Sequence, residues 1–198
     1  ASSGLWVPPL PWVSLVCAAG LQALGVEGED CSNHWKITRG KLQGPAKVDV
    51  GNAGTVMRFL PPVAALAIGT IFFDGDPRSH ERPIGPVISG LRAIGATVND
   101  DGRNALPMTV EGNGSLRGGE ITLDASDSSQ FVSAMLRVAL ATQAGITVRH
   151  IGTSLAQAPH STLTVNMRHD TGELVADWDL HGMEYESRPR QHPKSVTT

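Results

Sequence analysis

Two short polar segments combine residue types that can bind anions. Residues 51–55 read Gly-Asn-Ala-Gly-Thr, and residues 126–130 read Ser-Asp-Ser-Ser-Gln. Each segment precedes an apolar stretch and would open a helix, whose N-terminus offers unpaired N–H groups and the positive end of the dipole. The alternative is that the Asn, Thr and Ser side chains only cap these helices. The candidate anion ligands are Asn52, Gly54, Thr55, Ser128, Ser129 and Gln130.

Arginines supply the third chemical feature. Arg78 and Arg82 lie four residues apart in the turn at 76–83, directly before another predicted helix. Guanidinium groups bind carboxylates and phosphates in a bidentate manner. The alternative is a surface loop in which each arginine only balances a neighbouring acid. Arg58 is a single charge in an apolar helix, and it would either pair with an acid or contact a ligand.

Other reactive residue types form no recognisable site in the sequence. The seven histidines follow neither HxxxH nor HExxH spacing, so we predict no metal site, and His150 and His160 stand ten residues apart. The two cysteines, Cys17 and Cys31, are too few for a disulfide framework. No Gly-x-Ser-x-Gly elbow is present, so Ser128 and Ser129 are poor candidates for a hydrolase nucleophile.

Strand and helix patterns alternate through the middle of the chain. The predicted strands are 47–50, 70–74, 106–110, 120–124 and 145–151. The predicted helices are 14–24, 54–68, 83–95, 128–142 and about 160–171. We expect Pro61 and Pro62 to kink or split the second helix.

An internal repeat organises these elements. The sequence LQALGV at 21–26 recurs as LRAIGA at 91–96, and a weaker match lies at 167–174. The two polar loops and two prolines that follow strands recur at a similar interval, which gives a unit of about 75 residues. We therefore expect about two copies of a strand–helix–strand–helix–strand unit, preceded by the end of an earlier copy.

Composition and chain ends limit the classes of function. The 198 residues carry a net charge of −3 and are 40% hydrophobic, which argues against nucleic-acid binding and against wholesale disorder. The apolar stretch near the start is broken by prolines, so we predict no membrane span and a cytoplasmic protein. We expect residues 1–14 to be an irregular, atypical leader and residues 177–198 to be a tail that is disordered or lies outside the family to which the middle belongs.

Three segments carry a resemblance to a known family. Their sequences are GNAGTVMRFL at 51–60, GDPRSHERPIG at 75–85 and DASDSSQFVSAML at 124–136. Together they resemble, in order and spacing, the signature segments of 5-enolpyruvylshikimate-3-phosphate synthase, of the high-GC bacterial type. The resemblance implies an α+β fold of repeated βαβαββ units. Residues 15–176 would then form part of one enolpyruvyl transferase domain, about two units long, within an internal fragment.

The resemblance also implies substrates and residue roles. The family transfers the enolpyruvyl group of phosphoenolpyruvate to shikimate 3-phosphate, by addition and elimination, without a cofactor or metal. Gly54 and Arg82 would contact phosphoenolpyruvate, and Asn52 would support that loop. Ser128 and Ser129 would bind the phosphate of shikimate 3-phosphate, and Gln130 would contact both substrates. Weaker candidates are Thr55, Arg58 and Gln157.

Departures from the family pattern shape the functional prediction. The family's lysine-serine segment has no match in residues 1–50, and its acid and base carboxylates belong to a second domain. We therefore predict no catalytic residue here, inactivity of this chain alone, and a monomer at full length. Phe59 replaces a proline common in the family, which would change how the phosphoenolpyruvate loop packs. The alternatives are a degenerate anion-binding domain and a relative that acts on UDP-N-acetylglucosamine.

Overall fold

The computed structural model describes residues 2–6, 12–30, 34–38, 40–152 and 184–187. The strands are β1 (Ser2–Trp6), β2 (Glu27–Asp30), β3 (His34–Thr38), β4 (Ala46–Asp49), β5 (Ile68–Asp74), β6 (Thr97–Asn99), β7 (Met108–Asn113), β8 (Gly119–Leu123), β9 (Ile146–His150) and β10 (Glu184–Ser187). The helices are α1 (Trp12–Ala23), α2 (Gly54–Ala64), α3 (Gly85–Ala93) and α4 (Gln130–Val138), with short 3-10 turns at Pro77–Glu81 and Ala139–Ala141.

One complete repeat unit lies in the middle of the chain. Its elements run β4, α2, β5, α3, β6 and β7, and its four strands form one sheet in the order β4-β5-β7-β6. The first two strands are parallel, with Val48 opposite Phe73, and the last two are antiparallel, with Val98 opposite Val110. The repeat in the sequence predicted a strand–helix–strand–helix unit followed by further strand, and this βαβαββ order is the one that the family resemblance implied.

The neighbouring units repeat the same arrangement. Before the complete unit, α1 is followed by β2 and β3, which pair antiparallel as β6 and β7 do. After it, β8, α4 and β9 repeat β4, α2 and β5, again with a parallel strand pair. The α+β architecture, with about two units and the end of an earlier one, is therefore confirmed.

The helices join the β4-β5-β7-β6 sheet and the β10-β9-β8 sheet through a shared core. Helix α2 packs against α4 and α1, and α3 contacts α4 as well as strands of two different sheets, β6 and β8. The largest side chains of this core are fully buried and include Phe73, Phe131 and Met57. Burial of this apolar surface is the main stabilising contribution to the fold, and it fixes the starts of α2 and α4 relative to each other.

Several local expectations differ from the structure. Residues 2–6 of the expected irregular leader form β1, paired with β3, and α1 begins at Trp12. Within the expected tail, Glu184–Ser187 forms β10 against β9. Both strands depend on partners distant in sequence, which local patterns do not reveal. The predicted helix at 160–171 lies outside the described residues.

The two prolines do not split α2. The helix runs from Gly54 to Ala64 through Pro61 and Pro62, and the Ala65 N–H donates to the Pro61 carbonyl. Pro61 and Pro62 carry no N–H, so each removes one hydrogen bond of the helix, to the carbonyls of Met57 and Arg58, but both lie in the last turn and the helix ends two residues after Pro62. Among the helices of the described ranges, none is long and apolar enough to cross a bilayer.

A buried carboxylate fixes the turn after β6. Asp100 is 1% exposed and accepts hydrogen bonds from Arg92 Nη2 (2.7 Å) and from the N–H groups of Asn104 (2.6 Å) and Gly102 (3.2 Å). Burial raises the pKa of Asp100, but these hydrogen bonds outweigh it, so the pKa lies below its ordinary value.

We expect Asp100→Asn to lower the free energy of unfolding by about 2–4 kcal/mol at neutral pH, because an amide cannot accept from all three donors. The pKa is lowered in the folded state, so this contribution is present above the unfolded value of about 3.9 and is lost as the pH falls through the folded value. Urea unfolding at pH 7 and at acidic pH measures both effects. Asp101→Asn, at an exposed neighbour, is the control, and equal losses in the two variants would contradict the prediction.

Candidate functional site

Two loops meet where the parallel strands β4 and β5 end. The turn after β4 is closed by Asp49, whose Oδ1 accepts the Gly51 N–H at 2.8 Å. Gly51 has a φ of +52°, which favours glycine, and its carbonyl accepts the Asp76 N–H at 2.9 Å. Because neighbouring parallel strands end at one edge of the sheet, the loop at 50–54 lies beside the loop at 75–82.

The loop after β5 carries Arg82 back towards α2. Its 3-10 turn, Pro77–Glu81, is fixed by Ser79, which donates from its N–H and its Oγ to the Asp76 carbonyl. His80 Nε2 lies 2.9 Å from Asp74 Oδ1, which also accepts the Gly75 N–H. The hydrogen bond from His80, followed by that from Gly75, lowers the pKa of Asp74.

The Arg82 guanidinium lies against the first residue of α2. Its Nη1 donates to the Asn52 carbonyl at 2.7 Å. A Cβ on Gly54 would lie 2.7 Å from Arg82 Nη2 and 2.8 Å from Arg82 Cζ, so only glycine permits this approach. A guanidinium and the N-terminus of a helix therefore present positive charge at the same place.

The caps expected for α2 are not formed by side chains. Ala53 is the N-cap residue, and no side chain of the described residues caps the helix. Asn52 Oδ1 is shielded from solvent and has no hydrogen-bond partner in the described part of the chain. Thr55 lies half-buried in the first turn. The capping alternative is therefore wrong for Asn52 and Thr55.

Arg58 connects the loops at 50–54 and 75–82 to the loop at 126–130, here called the serine loop. It is 8% exposed, and its Nε and Nη2 donate to the Pro83 carbonyl at 3.3 and 3.2 Å. Its Nη1 donates to Gln130 Oε1 at 2.8 Å, and its guanidinium lies 5.0 Å from the centre of the Phe131 ring. The side chain thus fixes Gln130, the first residue of α4, relative to α2.

The electrostatics favour an anion at this point. Burial lowers the pKa of Arg58, and the nearby positive charge of Arg82 lowers it further, while Asp127 has the opposite effect. Two guanidinium groups therefore repel each other beside the N-terminus of α2. A bound anion would relieve this repulsion. The described residues contain no group of three or more His, Cys, Asp or Glu side chains that could hold a metal ion.

The serine loop begins α4 on the other side of Arg58. Ser128 Oγ accepts the Gln130 N–H at 3.3 Å, and Ser129 is buried at the start of the helix. Ser128 thus makes the kind of backbone contact expected of a cap. Gln157 lies outside the described residues. The other predicted site residues are brought together by the structure: Asn52, Gly54, Thr55, Arg58, Arg82, Ser128, Ser129 and Gln130.

Two parts of this arrangement were missing from the sequence analysis. The Pro83 carbonyl accepts hydrogen bonds from Arg58, and the negative charge of Asp127 raises the pKa of Arg58. Neither residue was considered as a partner of Arg58. The signal for a role of Arg58 was its position as the single charge in an otherwise apolar helix. Phe59, at the expected proline position, has its ring 4.3 Å from the Arg137 guanidinium.

Comparisons with known proteins match most of the chain. The family model described as EPSP synthase (3-phosphoshikimate 1-carboxyvinyltransferase) matches residues 15–195, which includes most of the segment expected to be a tail outside the family. Two solved structures of EPSP synthase from Acinetobacter baumannii are each 21% identical to this chain and superpose with TM-scores of 0.77 and 0.78. Each match covers 96% of this chain and 42% of the solved one.

Proposed function

Because this chain belongs to the EPSP synthase family, we propose that it binds phosphoenolpyruvate and shikimate 3-phosphate as one face of an enolpyruvyl transferase site. The proposal depends on one observation, the convergence of Arg82, Arg58 and the N-terminus of α2 around Gly54. Both proposed substrates carry several negative charges. A site with two guanidinium groups and unpaired helix N–H groups suits them.

Each group has a distinct role in this proposal. Arg82 and the N–H groups at the start of α2 hold the carboxylate and phosphate of phosphoenolpyruvate. Ser128 and Ser129 bind the phosphate of shikimate 3-phosphate through their hydroxyl groups. Gln130, held by Arg58, lies between the two substrates and contacts both, which fixes their relative position. Such positioning lowers the entropic cost of bringing the attacking hydroxyl to the enolpyruvyl carbon.

We further propose that this chain alone does not catalyse the transfer. The described site residues are suited to binding and orienting anions. The reaction also needs groups that move protons during addition and elimination. The chain spans 42% of the length of the solved structures that it matches. Those proton-transfer groups would come from a second, opposing face.

Calorimetric titration with shikimate 3-phosphate tests the binding proposal. We expect saturable binding that Ser129→Ala weakens by roughly 10-fold, because one buried hydrogen-bonding group is lost. Ser89→Ala, an exposed position on α3, is the control and should bind as the wild type does. UDP-N-acetylglucosamine should not bind, and inorganic phosphate should bind much more weakly.

The outcomes separate the alternatives. Equal affinity for inorganic phosphate and shikimate 3-phosphate would favour a degenerate anion-binding domain, and absence of any binding would contradict the proposal. With both substrates present, we expect no release of inorganic phosphate. Measurable release would overturn the one-face proposal while leaving the binding site intact.

A further inference from the structure

A buried histidine holds the base of the serine loop. His150 is the last residue of β9 and is 6% exposed. The parallel pairing of β8 with β9 ends at Leu123 opposite His150. Two residues beyond that end, the Ala125 N–H donates to His150 Nδ1 at 3.1 Å. The His150 side chain therefore binds the loop residue Ala125 just beyond the end of the pairing between β8 and β9.

This contact fixes the tautomer of the ring. An imidazole nitrogen that accepts a hydrogen bond carries no proton, so the proton of a neutral His150 is on Nε2. Nε2 is shielded from solvent and has no hydrogen-bond partner among the described residues. Burying such a donor is costly, and an apolar side chain of similar size would avoid that cost. Among the described residues, the contact made by Nδ1 is therefore the feature that accounts for a histidine here.

A short chain of hydrogen bonds leads from this contact to the proposed substrate ligands. The Ala125 carbonyl accepts the Ser128 N–H at 3.1 Å. Ser128 Oγ in turn accepts the N–H of Gln130, the residue bound by Arg58. Ala125 is thus held by its N–H on His150 and holds Ser128 through its carbonyl, so the position of Ala125 affects Ser128 and, through it, the start of α4.

The segment after His150 supports the same turn from the other side. Asp124 Oδ1 accepts the Ser126 N–H at 2.9 Å. A Cβ on Gly152 would overlap Ser126 Oγ and would lie 2.7 Å from Asp124 Oδ1 and 2.8 Å from His150 Cε1. Gly152 therefore allows the turn to pack closely against the imidazole ring.

We propose that His150 is a positioning residue for the anion-binding loop at 126–130, acting through the backbone of Ala125 as a neutral ring protonated on Nε2. It does not touch the substrate. The expected effect on shikimate 3-phosphate affinity rests on the proposed function. The expected effect on the amide exchange of the loop at 126–130 does not.

Two variants at this position test the proposal. Asn carries an acceptor oxygen on Cγ, where the imidazole carries Nδ1, so His150→Asn can retain the bond to Ala125. His150→Leu has a similar volume and no acceptor. We expect the Leu variant to exchange the Ala125 and Ser128 amide protons at least roughly 10-fold faster and to bind shikimate 3-phosphate roughly 10-fold more weakly. The Asn variant should restore both values to within roughly 3-fold of the wild type.

Nitrogen-15 NMR of the imidazole reports which ring nitrogen carries the proton, and this result does not depend on the overall stability of the protein. Its spectrum should show a protonated Nε2 and an unprotonated Nδ1 in the wild type at neutral pH. A proton on Nδ1, unchanged amide exchange in the Leu variant, or equal losses in the Asn and Leu variants would each overturn the proposal. If the wild type binds no shikimate 3-phosphate, the proposed function fails, and amide exchange in the two variants still decides the positioning role.

Discussion

Replacing Arg58 with methionine is expected to lower the free energy of unfolding by about 2–4 kcal/mol and to weaken shikimate 3-phosphate binding roughly 10- to 100-fold. Methionine can fill much of the buried volume, but it leaves the Pro83 carbonyl and Gln130 Oε1 without their donor. The Gln130 side chain would then no longer be held relative to α2, although the core still fixes the two helices.

Arg137→Met is a matched control for this change. It also removes an arginine that lies over a phenylalanine ring, at 4.3 Å from Phe59, but the Arg137 side chain is exposed. We expect it to cost less than about 1 kcal/mol and to leave binding unchanged, because partly exposed cation–π contacts contribute little. Chemical denaturation and calorimetry measure both quantities.

Arg58→Lys separates charge from geometry. Lysine keeps the positive charge but lacks the planar fork that reaches the Pro83 carbonyl and Gln130 together. We expect a stability and an affinity between those of the wild type and Arg58→Met. Wild-type binding by Arg58→Met would show that Gln130 does not depend on Arg58.

Sequence alone predicted the parts of the fold that local patterns encode. The helices α1 to α4 were predicted, and so were β4, β5, β7, β8 and β9, whose segments are rich in β-branched residues. The repeat then gave the order of the unit. The strands β1, β2, β3, β6 and β10 were not predicted, because they are short and depend on partners elsewhere in the chain.

The site was predicted to a similar degree. The loops around Gly54 and Ser128 were recognised from their composition, and Arg82 from the turn that carries it. Arg58 was only a weaker candidate, since its partners Pro83 and Gln130 lie 25 and 72 residues away in the sequence. His150 could not be recognised, because its role depends on one backbone N–H on the neighbouring strand's loop.

The second large effect is expected from Gly54→Ala. The structure places no unusual backbone demand on this first residue of α2, and alanine favours helices over glycine by about 1 kcal/mol. Stability should therefore be unchanged or slightly higher. The new methyl group, however, would lie 2.7 Å from Arg82 Nη2, 2.8 Å from Cζ and 3.0 Å from Nη1. The guanidinium must move, and its hydrogen bond to the Asn52 carbonyl would be lost.

We expect this displacement to weaken phosphoenolpyruvate binding roughly 10- to 100-fold, the usual cost of losing a charge-assisted contact. Titration in the presence of shikimate 3-phosphate measures it. Gly85→Ala is the matched control, since Gly85 is also the first residue of a helix, and its nearest contact would be Asn104 Cβ at 3.3 Å. It should bind within roughly 2-fold of the wild type.

A double-mutant cycle identifies the cause of the Gly54→Ala effect. If the alanine acts by displacing Arg82, it should cost no further affinity once Arg82 has been replaced by alanine, because the displaced group is gone. Additive losses would instead mean that the methyl group blocks the ligand itself, and that the helix N-terminus rather than the guanidinium is the closer contact. Wild-type affinity in the single Gly54→Ala variant would mean that the anion binds elsewhere. An anion bound by the Arg82 guanidinium or by the N-terminus of α2 would be disturbed by a methyl group at this position.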